Sequence, residues 1–198
     1  TGTYEPEVHQ FGGPVGLALA HELFTIESRA VLEYGQLLDS GRTAVDPIVF
    51  SLFVVGALLR RVVGDRWEMW DAWMHMDLAG RRVQLDPARR AELVDELAEQ
   101  REVLEALAME PESLCEELDE VERPLFRRYL DGLDGFAERL TAAASSGELH
   151  YGLREILPFY IVFHWNRMRF DRGLQCTLVF YMTQVLSPKA RRPPPDPS

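Results

Sequence analysis

The stretch Asp46-Pro47-Ile48-Val49-Phe50-Ser51-Leu52-Phe53-Val54-Val55-Gly56-Ala57-Leu58-Leu59 decides the fold class. A capping aspartate followed by a proline, whose missing N–H costs nothing at the first helical position, is a helix start. The run behind it is apolar on most sides, which places this helix at the centre of a core. Asp86-Pro87 repeats the signal and opens a long charged helix to about Met109. Upstream, Pro14 follows Gly12-Gly13 and begins an apolar pattern through Leu17, Ala20, Leu23, Phe24, Val31 and Leu38. Downstream, Pro111 and Pro124 punctuate two more helical stretches, and Ser145-Ser146-Gly147 breaks the pattern. A last pair of helices spans about Glu148 to Leu186, with Pro158 kinking the first or marking its beginning. Residues 1–13 read as extended chain ending in a turn, a strand end without a partner strand. The fold read from the residues is mainly α, and the unpartnered segment either pairs with another chain or follows a part of the protein that is missing. The Pro-rich tail at 188–198 reads as separate from it.

Length and charge narrow the function. The chain has 198 residues, with 21 basic and 32 acidic side chains and a net charge of −11. One domain fits that length. An acidic balance speaks against a dedicated nucleic-acid binder, whose affinity rests on Lys and Arg against phosphates, and against an anionic membrane surface. The acidity is local: residues 91–148 hold 17 acidic and 5 basic side chains, whereas 149–192 hold 7 basic and 2 acidic ones. Within 91–148 a solvated helical face is expected, with Glu92–Glu96 repulsion and Glu105–Arg101 attraction. The longest apolar run is too short for a bilayer span of ~20 residues, and the opening lacks a signal-peptide pattern. Cytoplasmic residence follows as the expectation. Cys115 and Cys176 have no CxxC spacing, and the five histidines are scattered, so neither a disulfide framework nor a metal site is expected.

Phosphate-loop, dinucleotide, zinc-protease and hydrolase signatures are absent, which leaves three stretches to carry chemistry. Trp67, Trp70 and Trp73 step at i+3, a spacing that favours core or interface packing over an aromatic pocket. Tyr4-Glu5-Pro6-Glu7-Val8-His9-Gln10-Phe11-Gly12-Gly13 crowds two carboxylates, an imidazole and an amide before a helix start. Two confined carboxylates can divide acid and base work, and a plain solvent-facing loop is the alternative. In Phe159-Tyr160-Ile161-Val162-Phe163-His164-Trp165-Asn166-Arg167, a helix puts Tyr160, His164 and Arg167 on one face. Buried in so apolar a segment, they must meet one another, another polar cluster or a ligand.

Two of these stretches also carry a resemblance. YEPEVHQFGGPVGLALAHELFTIESRAVLEY (4–34) is similar to the Y-E-P-E-x-x-x-[YF]-G-G-P…F…[DE]-S-x-x-[VA]-L pattern of the thiopeptide-type bacteriocin biosynthesis domain, and FHWNRMRF (163–170) resembles its late N-R motif. That domain is the C-terminal part of lantibiotic dehydratases and also occurs as stand-alone proteins. The overall order covers residues 1 to about 186, so residues 1–187 resemble the C-terminal two-thirds of the domain; the resemblance implies the helical portion of an α+β domain whose N-terminal strands are missing.

The resemblance implies a peptide-modifying enzyme without cofactor or metal, acting on a leader-bearing dehydrated precursor peptide. Members that eliminate glutamate carry an Arg where this chain has Gln10 and a His where it has Val162. The stand-alone pyridine synthases, with an F-H-W-N-R form, match better. They join two dehydroalanines in a formal aza-Diels–Alder addition and expel water and the leader. The resemblance then implies His164 and Tyr160 as proton donors or relays and Glu7 as a base. It implies Trp165, Asn166, Arg167, Gln10 and His9 as substrate-binding residues. The alternatives are a glutamate-eliminating lyase of a split dehydratase and a non-catalytic leader-binding partner. A homodimer through the Trp-rich or the last helices is left open.

Overall fold

The structure, a computed structural model, describes residues 8–76 and 85–188. Among them are eight helices: α1 (Pro14–Asp39), α2 (Pro47–Val62), α3 (Arg66–Met76), α4 (Pro87–Met109), α5 (Pro111–Glu117), α6 (Arg123–Ser146), α7 (Leu153–Arg167) and α8 (Arg172–Val185). The described residues form no strand, and the mainly α expectation holds. The opening residues 1–7, including Tyr4, Glu5 and Glu7, and the Pro-rich residues 189–198 lie outside the described residues.

The cap-then-proline starts are built as the sequence implies. Asp46 accepts from the Ile48 N–H at 2.7 Å, and Asp86 from the Arg89 N–H at 2.8 Å. Helix α2 is buried without interruption from Phe50 to Leu59, and it packs against α4, α6, α7 and α5. Gly56 is what lets α4 come so near, because a Cβ there would overlap the Leu107 carbonyl. Helix α1 lies along α6, and α3 is held between α7 and α8. Tyr34 joins α1 to α2 by stacking on Phe50 at 4.1 Å and donating to the Val45 carbonyl at 2.8 Å.

Four expectations need correction. Residues 8–12 are a tight turn, not the end of a strand: the Gly13 N–H reaches the Val8 carbonyl at 2.9 Å, so the backbone groups a strand would offer sideways are used locally. Helix α7 begins at Leu153 rather than near Glu148, since Glu148 and His150 spend their N–H groups on Ala143 and Gly12. Pro158 lies inside it, the first of the two placements expected, and does not mark its beginning. The tryptophan stripe divides: Trp73 is buried at 5.8 Å from Trp165, Trp70 donates to the Thr183 carbonyl at 3.1 Å, and Trp67 is 63% exposed. Each i+3 step falls about 60° short of a full turn, so two steps carry the stripe out of the core. Finally, Glu105 pairs with Arg66 on α3 rather than with Arg101, and Arg89 reaches both Glu92 (3.0 Å) and Glu96 (2.9 Å), which relieves their repulsion.

Candidate functional site

The turn before α1 plants one aromatic ring and leaves two polar side chains outside. Gly12 and Gly13 have φ of 78° and 101°, a region that glycine enters freely and other residues rarely. A Cβ on Gly13 would strike the His150 ring, and one on Gly16 would overlap the Phe11 carbonyl. The close turn drives Phe11, 1% exposed, into a cage of aromatic rings. It stacks on Tyr160 at 5.5 Å and meets Phe163, Phe24 and Phe159 edge-on at 5.4, 5.6 and 6.3 Å. His9 and Gln10 remain at the surface, where they line a groove of about 310 Å³ with Tyr151, Glu155 and Phe159.

Behind the cage lies a polar cluster with almost no access to water. Glu27 of α1 is 1% exposed and His164 of α7 is fully buried. Arg167, one turn beyond His164, donates to Glu27 Oε2 and lays its guanidinium over the Phe24 ring at 4.3 Å. The same carboxylate oxygen stands 4.0 Å from His164 Nδ1, while His164 Nε2 meets the Ser51 hydroxyl of α2 at 3.0 Å. Three helices thus contribute to one site. Glu27 Oε1, His164 Nδ1 and the Tyr160 hydroxyl are buried without a hydrogen-bond partner among the described residues. A buried polar atom without a partner is costly, so these three ask for a proton, a water or a ligand to satisfy them.

The electrostatics follow from burial. Glu27 is pushed up to about 7 by burial, against the pull of Arg167. His164 is pushed down to about 3, first by burial and then by the Arg167 charge, so at neutral pH it is a neutral imidazole. Burial also raises the Tyr160 and Tyr129 phenols, with the Glu27 carboxylate acting in the same direction. A carboxyl poised near neutrality can take up or release a proton at neutral pH, and the neutral imidazole beside it adds no competing charge. Among the described residues no three metal-ligating side chains converge.

The residues singled out from the sequence fall into three places. Tyr160, His164 and Arg167 share the α7 face, the last two joined by Glu27 and Tyr160 enclosed against Phe11. His9 and Gln10 line the groove. Asn166 is exposed at the end of α7, whereas Trp165 is fully buried in tilted contact with Trp73, away from any surface ligand. Glu7 lies outside the described residues. Sequence reasoning missed Glu27 and Ser51. The signal was present, since Glu27 falls between Leu23 and Ala30 on the stripe that α1 buries, and Ser51 interrupts the apolar run of α2.

Fold and site together define a helical domain that buries a carboxyl and an imidazole, with a half-buried guanidinium on the carboxylate, beside a cage of aromatic rings. The chain belongs to the lantibiotic biosynthesis dehydratase C-terminal family, whose model matches residues 1–186. Membership places it in the biosynthesis of ribosomally made, post-translationally modified peptides, with a precursor peptide as the fitting partner. No curated protein and no solved structure matches the chain. Among the described residues no helix is long and apolar enough to cross a membrane.

Proposed function

We propose that residues 1–187 form the helical portion of a pyridine synthase, acting in the cytoplasm on a dehydrated precursor peptide still attached to its leader. Two dehydroalanines are joined across an intervening amide that has tautomerised to an iminol. The iminol oxygen leaves as water and the leader leaves as its amide, which aromatises the six-membered ring. No step changes the net oxidation state, so the reaction asks the protein for positioning and proton transfers.

The lining of the groove carries this reading. His9, Gln10, Tyr151 and Phe159 offer an amide, ring faces and an imidazole, and the one charged group described there is the Glu155 carboxylate. A dehydrated peptide without an acidic side chain at this point fits such a lining. A departing glutamate would meet Glu155 as a like charge. In this reading Gln10 and His9 hold peptide amides and Glu7 is a base at the substrate. Asn166 borders the substrate from the end of α7. Tyr160 and His164, enclosed behind Phe11, move protons to and from Glu27 instead of touching the peptide. Arg167 is a positioning residue that holds Glu27, and Trp165 supports α7 from within the core.

Mass spectrometry of a dehydrated, azole-bearing precursor incubated with the full-length protein tests the proposal. Loss of water and appearance of the free leader amide are expected. Loss of glutamate from a glutamylated precursor would assign a lyase. A bound leader with unchanged core mass would assign a binding partner.

A further inference from the structure

The groove beside Gln10 has a neighbour. A second concavity of about 420 Å³ lies between α3 and the start of α7, lined by Val63, Glu68, Ala72 and Arg154 among others. Glu155 lines both. Its carboxylate folds back over Gly152, 2.8 Å from where a Cβ at 152 would sit. Beside it Tyr151 is 47% exposed, an aromatic face open to solvent.

The charges of the second concavity are unbalanced. Arg154 is engaged by Asp71 at 3.3 Å. Glu68 and Glu155 are exposed and pair with no cation among the described residues. The combined surface therefore offers a ring, two carboxylates and an apolar floor that includes Phe159, Ala72 and Leu157.

We propose that the two concavities are one track for an extended segment of the precursor peptide, and that Glu155 selects a lysine or arginine of that segment. The proposal rests on the peptide-modifying reading above and adds a specificity-determining residue to it. An extended chain presents alternate side chains to one face. One can pack on Tyr151 while a cationic neighbour reaches Glu155, and Glu68 favours the same sign further along. Charge complementarity of this kind governs which partner and register are accepted more than it governs raw affinity.

The test uses the full chain and fluorescein-labelled, end-blocked heptapeptides of alanine and serine with a central lysine, glutamine or glutamate. The lysine peptide is expected to bind about fivefold more tightly than the glutamate peptide at low salt, in keeping with an exposed pair. Glu155→Gln should abolish most of that preference and Glu155→Lys should invert it. With the lysine peptide, backbone amide shifts should move at both Tyr151 and Ala72. Equal binding of the three peptides, no binding at all, a preference that survives Glu155→Gln, or shifts on one side alone would each overturn the proposal. The outcome is separable from that of the cyclisation assay. Lysine preference without ring formation would sink the synthase reading and leave the track standing, and ring formation without preference would do the reverse.

Discussion

Arg167 on α7 donates to the Glu27 carboxylate of α1, a partner 140 residues away in sequence, and this pair, its carboxylate buried and its guanidinium half-buried, joins the two helices at the candidate site. Glu27 cannot reach solvent, so its charge has this guanidinium as its main compensation.

Removing one partner should therefore cost far more than removing both. Arg167→Met is expected to destabilise the fold by about 3 kcal/mol near pH 8, and by less near pH 5, where Glu27 takes a proton. The double variant Glu27→Leu, Arg167→Met should regain most of the loss. Urea unfolding of the four proteins of this cycle reads the coupling directly, and additive losses would mean that the pair is not coupled.

The same cluster gives a pH profile whose sign can be worked out. Glu27, at about 7 in the folded chain, holds a proton that the unfolded chain has released above its ordinary value of 4.5. That contribution falls as pH rises from 4.5 to 7. His164, at about 3, lacks a proton that the unfolded chain takes up below 6.5, so its contribution rises with pH from 3 to 6.5. Between about pH 4.5 and 6.5 the two slopes cancel. Glu27→Gln leaves only the second, and its stability should climb relative to wild type by about 1.4 kcal/mol per pH unit in that window. Parallel wild-type and variant profiles would show Glu27 ionised throughout.

Two glycines in helices predict opposite signs for the same substitution. Gly56→Ala forces a Cβ onto the Leu107 carbonyl where α2 meets α4, and should destabilise by about 2–3 kcal/mol. Gly35, inside α1, has nothing within 4 Å of where its Cβ would sit. Alanine there should stabilise by about 0.5–1 kcal/mol through helix propensity and a less free unfolded chain. Thermal unfolding of both variants separates the cases.

Tyr160→Phe divides structure from chemistry. The hydroxyl is buried with no partner among the described residues, so its removal should leave stability within about 1 kcal/mol of wild type or raise it. If the phenol relays protons, ring formation in the mass-spectrometric assay should slow by at least about tenfold. An unchanged rate would reduce Tyr160 to a packing residue stacked on Phe11.

Much of the helical plan was legible because its signals are local. Asp46-Pro47 and Asp86-Pro87 start helices through a side chain reaching two or three residues ahead, and Gly147 ends α6 with a left-handed φ of 77°. The α7 face was legible for the same reason, since Tyr160, His164 and Arg167 are fixed relative to one another by helical pitch alone. Ion pairs resisted prediction: Glu105 has a suitable partner four residues back, yet packing of α3 brings Arg66 closer. Glu27 also escaped, although it sits on a buried stripe, because one acid in an apolar pattern reads as surface until a partner is known.

By itself the sequence determined that the chain is helical, where most helices begin, the family it belongs to and which polar side chains of α7 must face inward. Those properties depend on backbone geometry and on interactions spanning a few residues. Only the tertiary structure decided that Glu27 and Ser51 complete the cluster, that Trp165 is core and that Gln10 and His9 share a groove with Glu155. Each of these depends on which helices lie against one another. That arrangement is set by how apolar faces fit together across more than a hundred residues of chain, where a capping aspartate or an i+4 spacing carries no information.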